Sequence, residues 1–221
     1  MSIEYIADGL ETSLKELRKM QFKAAMLERT IGHFDSLASP HYAAEEGSYA
    51  YIPLNLWDFT DSLLELETAL KTDEDYASTD PEFAYRPVSF LEVGCGIGRN
   101  LFLVKNGSGL LLSNLHGIEI GFPYIVQARE IFKLHEEVTQ GDALTFDYGD
   151  FDVIYYYRPF TDEALQAKFE RRLIRQAKPG AYIIGHLNAI LDKSKLLRPT
   201  TEYSKVFKKI KKTSEPGKGK R

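Results

Sequence analysis

Apolar side chains in the first 70 residues recur at steps of three and four, which is the repeat of an amphipathic α-helix. One apolar face runs from Leu10 to Phe34, and a second face follows Asn55, a residue type that favours helix N-caps. The second face consists of Leu56, Phe59, Leu63, Leu66 and Leu70. The pattern therefore predicts two amphipathic helices at the start of the chain.

The pattern changes after residue 85, where short apolar runs alternate with helical periods. Residues 71–84 are acidic and lack periodicity, so they are predicted to form the connecting loop. The runs typical of buried strands lie at 88–93, 116–120, 153–157 and 181–187, and residues 203–210 can supply one more. Helical periods cover 99–105, 124–132 and 162–177. Repeated strand–helix alternation predicts a doubly wound, mostly parallel α/β sheet that follows an N-terminal helical extension.

Composition and charge refine this picture. The chain is 43% hydrophobic and 27% charged, and its one cysteine, Cys95, cannot form an intramolecular disulfide. No apolar run approaches about 20 residues and no signal-peptide pattern opens the chain, so we expect a cytoplasmic protein without a membrane segment. Residues 205–221 hold eight Lys or Arg and one Glu, a local charge of +7 against −11 elsewhere. We therefore expect a helical extension or cap (1–85), an α/β core (86–210) and a basic flexible tail (211–221).

The most informative segment is residues 92–98, Glu-Val-Gly-Cys-Gly-Ile-Gly, which joins an apolar strand to a helix. Glycines allow a tight turn and let a ligand lie against bare backbone. A dinucleotide fingerprint, G-x-G-x-x-G, would require a glycine at position 99 or 101, where this chain has Arg99 and Leu101. Glu92 stands directly before the turn, where a carboxylate repels a pyrophosphate but suits an ammonium group. The segment therefore favours a ligand with an ammonium group over a dinucleotide.

The segment resembles the first motif of the class I S-adenosylmethionine-dependent methyltransferases, and four later segments resemble that family's landmarks in the same order. These are Ile118-Glu119-Ile120, Gln140-Gly141-Asp142-Ala143, Phe151-Asp152-Val153-Ile154 and Lys178-Pro179-Gly180-Ala181. The resemblance covers roughly residues 86–187 and implies a Rossmann-like core that binds S-adenosylmethionine. It implies that Glu119 binds the ribose hydroxyls and that Asp142 meets the adenine amino group. The implied cofactor-binding residues are Glu92, Gly94, Cys95, Gly96, Gly98, Glu119, Asp142 and Ala143.

The acceptor is expected at residues 155–160, Tyr-Tyr-Tyr-Arg-Pro-Phe, at the carboxyl edge of the predicted strand 153–157, which the resemblance makes the family's fourth strand. Many adenine and cytosine N-methyltransferases carry Asn/Asp-Pro-Pro-Tyr/Phe here, and this chain does not. Tyr157 can hold an amine by cation–π contact and Arg158 can pair with a carboxylate or phosphate, although strand tyrosines are often half-buried core residues. His186 is either a base or a structural hydrogen-bonding residue. The five histidines show no metal-ligand spacing, so no metal site is predicted.

Three functions fit these features. The first is a methyltransferase that acts on a small-molecule acceptor. The second is a protein lysine or other macromolecule methyltransferase, whose partner would dock through the basic tail. The third is a non-catalytic partner subunit that binds S-adenosylmethionine, which the missing acceptor motif allows. The acceptor molecule and atom stay open at this point.

Overall fold

The computed structural model describes residues 55–211, together with Arg29, Gly32 and His33. The chain divides into two compact units, residues 1–39 and 40–221, and the fold below belongs to the second unit. Its helices are α1 (Leu56–Thr72), α2 (Arg99–Gly107), α3 (Phe122–Phe132) and α4 (Glu163–Gln176). Its strands are β1 (Val88–Val93), β2 (Leu112–Glu119), β3 (Val138–Gln140), β4 (Val153–Tyr157), β5 (Tyr182–His186), β6 (Leu197–Pro199) and β7 (Val206–Lys209).

The strands form one seven-stranded sheet in the order β3-β2-β1-β4-β5-β7-β6. Strands β1 to β5 pair in parallel, whereas β7 pairs antiparallel with both β5 and β6. The strand order reverses between β1 and β4, and the carboxyl ends of strands at such a switch point are where open α/β sheets bind ligands. The fold confirms the predicted α/β class.

Helix α1 forms as the sequence predicts. The Asn55 side chain accepts a hydrogen bond from the Trp57 N–H at 2.8 Å and so caps the first turn. All five predicted apolar residues, Leu56, Phe59, Leu63, Leu66 and Leu70, are buried. Burial of each such side chain contributes about 1.5–3 kcal/mol, so the apolar face fixes the helix on the sheet.

The two faces of the sheet carry different partners, because neighbouring residues of a strand point to opposite faces. On one face, Tyr155 of β4 packs edge-on against Phe59 of α1, with ring centroids 4.9 Å apart. On the other face, Tyr156 packs against Phe169 of α4 at 5.0 Å. The consecutive tyrosines of β4 therefore anchor a helix on each face of the sheet.

Several predicted boundaries differ from the structure. Strand β2 starts at Leu112 rather than 116, because the exposed polar pair Ser113-Asn114 interrupts the apolar run. Helix α3 starts at Phe122, two residues earlier than predicted, with Pro123 in its first turn, where proline is tolerated. The predicted loop 71–84 contains a short 3₁₀ turn, Glu74–Tyr76. Strand β6 was not predicted, since it is a three-residue edge strand that ends in proline.

Two predictions fall largely outside the described residues. The predicted helix from Leu10 to Phe34, apart from Arg29, Gly32 and His33, and the tail beyond residue 211 lie outside the described residues, and the domain boundary after residue 85 stays a prediction. The start of the basic stretch is part of the sheet: Lys208 of β7 pairs with Asp73 and Asp75, and Lys211 also pairs with Asp75. Among the described residues, no helix is long and apolar enough to span a bilayer.

Candidate functional site

The loop after β1 contains three glycines whose backbone lies in the left-handed region of φ/ψ space. Gly94, Gly96 and Gly98 have φ values of 71°, 53° and 77°, a region that costs a residue with a Cβ about 1–2 kcal/mol. The N–H groups of Gly94 and Cys95 both donate to the Ile118 carbonyl, at 2.9 and 3.0 Å. The loop is therefore fixed to the end of β2, with the backbone of Gly94 exposed.

Gly98 also allows the start of α2 to pack closely against α3 and the residues that follow it. A Cβ at this position would lie 2.6 Å from Leu134 Cδ1 and 3.2 Å from Ala128 Cβ, so only glycine fits. Cys95 fills the space on the other side of the loop, since a Cβ on Gly117 would lie 2.9 Å from its Sγ. Burial raises the pKa of the Cys95 thiol well above its usual range. The Cys95 side chain is thus a packing group.

Glu119 ends β2 and connects two loops. Its Oε2 accepts a 2.8 Å hydrogen bond from the Gly96 N–H, and its Oε1 accepts one of 2.8 Å from the Gly121 N–H. The residue is only 8% exposed. A carboxylate has about four lone-pair sites, so these two hydrogen bonds do not exhaust the number that Glu119 can accept. Glu119 thus shapes the glycine loop and places an acceptor group beside it.

Glu92 is a buried carboxyl group on β1, with 3% of its surface exposed. Asn100 donates to its Oε1 at 2.8 Å, and the Arg99 guanidinium in turn donates to Asn100 Oδ1 at 3.0 Å. No described residue makes a hydrogen bond to Oε2 within normal geometric limits. Burial raises the pKa of Glu92 to about 8, although the Asn100 bond and the Arg99 charge lower it. The group is therefore a buried carboxyl with one unpaired oxygen, largely protonated at pH 7, and an ammonium group beside it would favour its ionised, accepting form.

The loop after β3 contains the predicted Asp142 and Ala143. Asp142 Oδ1 accepts from the Leu144 N–H at 2.7 Å, which is the local turn bond that an aspartate commonly makes. The Asp142 carbonyl accepts from the Thr145 and Phe146 N–H groups. Ala143 is buried. Asp142 therefore lies at the carboxyl edge of the sheet, as the sequence predicts.

Tyr157 and Arg158 lie at the carboxyl end of β4. Arg158 has φ 35°, an unusual value for a residue with a Cβ, and its guanidinium forms an ion pair with Glu163 at the start of α4. The side chain of Arg158 is 21% exposed and that of Glu163 is 71% exposed. A Cβ built on Gly94 would lie 3.6 Å from Pro159 Cβ, so the glycine loop contacts the predicted acceptor segment.

His186 of β5 is buried beside these residues and bonds to α1. Its Nε2 lies 3.1 Å from Ser62 Oγ, while the same hydroxyl donates to the Asp58 carbonyl at 2.9 Å. Since that hydroxyl proton is already used, Ser62 accepts from His186 and Nε2 carries the proton. Burial lowers the pKa of His186 to about 4, so the ring is neutral at pH 7 with its Nδ1 as the acceptor nitrogen.

The structure brings the predicted residues to one edge but adds partners that the sequence analysis missed. Asn100 orients Glu92, and Ser62 sets the His186 tautomer. A polar residue in the first turn of the helix after the glycine loop was the available signal for Asn100. Ser62 lies next to Leu63 on the apolar face of α1, and that interruption was the only sign of a buried partner. The described residues contain no cluster that could hold a metal ion.

Comparison with known proteins matches residues 91–185 to a family model described as a methyltransferase domain. Those residues run from β1 through β5, so they contain the glycine loop, Glu119 and Asp142. Residues 91–185 therefore carry a methyltransferase domain, built on the Rossmann-like α/β sheet described above. This match agrees with the family that the motifs resemble.

Similar proteins carry methyltransferase names. Norajmaline N-methyltransferase of Rauvolfia serpentina is 32% identical over 136 residues, which is 57% of this chain and 44% of that protein. This chain therefore matches less than half of that relative's length. An RNA methyltransferase from Salinibacter ruber, solved with S-adenosyl-L-homocysteine, is 19% identical with a TM-score of 0.49, covering 74% of this chain and 97% of that one. An amino pentose methyltransferase from Micromonospora echinaspora is 18% identical with a TM-score of 0.39, covering 62% and 58%.

Proposed function

We propose that this protein transfers a methyl group from S-adenosylmethionine to a small-molecule acceptor. The observation that carries the proposal is the site between β1 and β2. There an exposed glycine backbone, the Glu119 carboxylate and the incompletely satisfied Glu92 carboxyl lie beside one another. The pyrophosphate of a dinucleotide would be repelled by two carboxyl groups at this site. A nucleoside with an ammonium group would instead find one acceptor for the ammonium group and one for its ribose hydroxyls.

The assignment of residues follows from this arrangement. The backbone from Gly94 to Gly98 holds the methionine part, and Glu92 accepts from its ammonium. Glu119 accepts from the ribose hydroxyls, and Asp142 accepts from the adenine amino group. Each of these ligand groups is a donor, and an ionised carboxylate only accepts. The bound cofactor supplies an electrophilic methyl group on a sulfonium sulfur.

The acceptor binds at the carboxyl end of β4, where Tyr157 offers an aromatic face and Arg158 a cation. The acceptor's nucleophilic atom attacks the methyl carbon as the carbon–sulfur bond breaks, and the sulfur leaves as a neutral thioether. Positioning alone supplies much of the rate, so a catalytic side chain is not required. Where the nucleophile carries a proton, the proton passes to water or to His186 Nδ1. The name norajmaline N-methyltransferase supports a small nitrogen acceptor for this chain as well.

The test is calorimetric titration of the full chain with S-adenosylmethionine and with NAD. We expect a dissociation constant of about 1 μM for S-adenosylmethionine, near −8 kcal/mol, and no binding of NAD. Glu119→Ala should weaken the binding at least about tenfold. Glu130→Ala, which removes an exposed carboxylate on α3, is the matched control. Unchanged affinity in Glu119→Ala would refute the ribose assignment.

A second assay identifies the acceptor class. Pure protein is incubated with S-adenosylmethionine that carries a radiolabelled methyl group, first with a panel of small amines, carboxylates and phenols, then with peptides and RNA. We expect transfer to a member of the first panel. Production of S-adenosylhomocysteine excludes a non-catalytic subunit. Removal of residues 212–221, which leaves β7 intact, should not alter transfer; loss of activity on a macromolecule would instead support docking through the tail.

A further inference from the structure

A small basic groove lies on the outer side of α4, away from the glycine loop. It has a volume of about 250 Å³. Its cationic residues are Arg171, Arg175 and Lys193, and its apolar residues are Ile174, Ile190 and Leu196. Helix α4 covers the sheet face opposite α1, so the basic groove and the Glu92 side of the sheet lie on different faces.

The cations of the basic groove lack counter-charges. Within residues 55–211, no carboxylate forms an ion pair with Arg171, Arg175 or Lys193, and none lines the groove. Arg171 and Arg175 are four residues apart on one helix face, a like-charge spacing that costs a few tenths of a kcal/mol. The helix dipole offsets this cost at Arg175, in the last turn, but not at Lys193, which belongs to another element. Three cations that line one groove, on a chain of net charge −4, favour an anionic ligand.

The shape of the basic groove favours a polypeptide over a free small molecule. Pockets for small ligands commonly enclose about 300–1,000 Å³ and bury most of the ligand, whereas this groove is smaller and open to solvent. A cavity of about 150 Å³ accommodates one benzene ring, so there is room for one apolar side chain on Ile174 and Ile190. A peptide can fill that space with one residue and meet the exposed cations with its neighbours.

We propose that the basic groove docks an acidic segment of a partner polypeptide with an apolar residue next to its acids. Arg171 and Arg175 are separated by about 6 Å along the helix axis. Alternate residues of an extended peptide are about 6.8 Å apart and point to the same side. Two acids at alternate positions therefore match the two arginines, and the next residue on that side, an apolar one, reaches Ile174 and Ile190.

The test uses the full chain and a fluorescein-labelled probe peptide, Leu-Ser-Glu-Ser-Glu-Ser-Leu, in fluorescence anisotropy at low salt. We expect saturable binding with a dissociation constant below about 1 mM. The double variant Arg171→Ala/Arg175→Ala should weaken binding about tenfold or more. The matched control, Lys71→Ala/Lys105→Ala, removes two exposed charges from α1 and α2 and should change binding less than about twofold. Equal losses in the two double variants would reduce the effect to net charge and overturn the proposal.

Two further probes separate the charge from the apolar contact. A peptide with serine in place of both leucines, and one with glutamine in place of both glutamates, should each bind at least about fivefold more weakly. Equal affinity of the serine peptide would overturn the apolar contact. Tighter binding of a short oligouridine, lost in the arginine variant, would overturn the proposal in favour of a nucleic acid. Displacement of the probe by submillimolar hexanoate would overturn it in favour of a free small anion. None of these measurements depends on methyl transfer.

Discussion

Gln166 Nε2 donates a 2.7 Å hydrogen bond to Glu170 Oε1 inside the fully buried face of α4, and this pair connects two loops. Gln166 Oε1 accepts from the Phe160 N–H in the loop after β4, at 3.3 Å. The Glu170 carboxylate accepts from the N–H groups of Ala189 at 3.0 Å and Ile190 at 2.7 Å, in the loop after β5. The two loops that border the proposed acceptor region are therefore held by one buried polar pair.

Glu170→Gln should destabilise the protein by about 1–3 kcal/mol, because the new amide N–H₂ would face backbone donors and leave buried groups unpaired. Urea unfolding followed by circular dichroism measures the change as a shift of the midpoint. Glu163→Gln makes the same change at an exposed position of the same helix and should cost less than about 0.5 kcal/mol. Equal midpoints for the two variants would show that the loops do not depend on Glu170.

Gly98 and Gly107 provide a matched pair for the glycine loop. Gly98→Ala places a Cβ at φ 77° and 2.6 Å from Leu134, so we expect a loss of about 2 kcal/mol or more. Gly107→Ala has no atom within 4 Å of the new Cβ and lies in α2, so it should stabilise the protein by up to about 1 kcal/mol. Thermal melting of both variants tests the prediction. A Gly98→Ala protein as stable as the wild type would mean that α2 packs differently from this structure.

Glu92 should make stability and cofactor binding depend on pH. Its pKa rises from 4.5 to about 8 on folding, so the native state binds more protons than the unfolded state between these values. Stability therefore falls as the pH rises through this window, by up to about 1.4 kcal/mol per pH unit. Glu92→Gln removes a buried ionisable group and should melt with a flatter pH dependence, more stable than the wild type at pH 8.

The same group predicts the pH dependence of binding. An ammonium beside Glu92 favours its ionised form, so binding of S-adenosylmethionine should release a proton and tighten from pH 6 to pH 8. Titration calorimetry in buffers of different ionisation enthalpy measures that proton. The ligand's own α-amino group titrates near about 7.7–8.0, and the Glu92→Gln variant serves to subtract its contribution. Identical proton release by the two proteins would place the ammonium elsewhere.

His186 should affect stability on the acid side. Its pKa falls from 6.5 to about 4 on folding, so the unfolded state binds more protons between these values. The contribution is complete above pH 6.5 and is lost as the pH falls toward 4. His186→Gln keeps an N–H donor for Ser62 without a titrating ring, so its melting temperature should fall less between pH 7 and pH 4.5. His135→Gln, at an exposed position, should match the wild type across the same range.

The sequence predicted features that depend on neighbours along the chain. The face of α1, from Leu56 to Leu70, follows from its period, and β1 and β4 follow from uninterrupted apolar runs. Glycines at alternate positions predicted the loop between β1 and α2. The position of Asp142 also follows, because it comes directly after a strand that ends at this edge.

Contacts between distant segments were beyond sequence reasoning. Glu119 and Gly96 are 23 residues apart, and their hydrogen bond exists only because β1 and β2 pair in one register. The apolar pattern allowed a strand at residues 203–210, where β7 lies, but it did not indicate that Lys208 pairs with Asp73, 135 residues away. A local pattern of charges does not say which acidic residue will lie near a given lysine in the fold.

Arg158 and Tyr157 can be tested separately from the cofactor site. Arg158→Ala removes the cation beside the glycine loop and should raise KM for an anionic acceptor about tenfold or more, with the Kd for S-adenosylmethionine unchanged. Tyr157→Leu removes the aromatic face and should raise KM for an amine acceptor by a smaller factor. Arg198→Ala, at an exposed position of β6, is the control for loss of one arginine. If Arg158→Ala instead weakened S-adenosylmethionine binding and left the acceptor KM unchanged, the end of β4 would belong to the cofactor site and the acceptor would have to bind elsewhere.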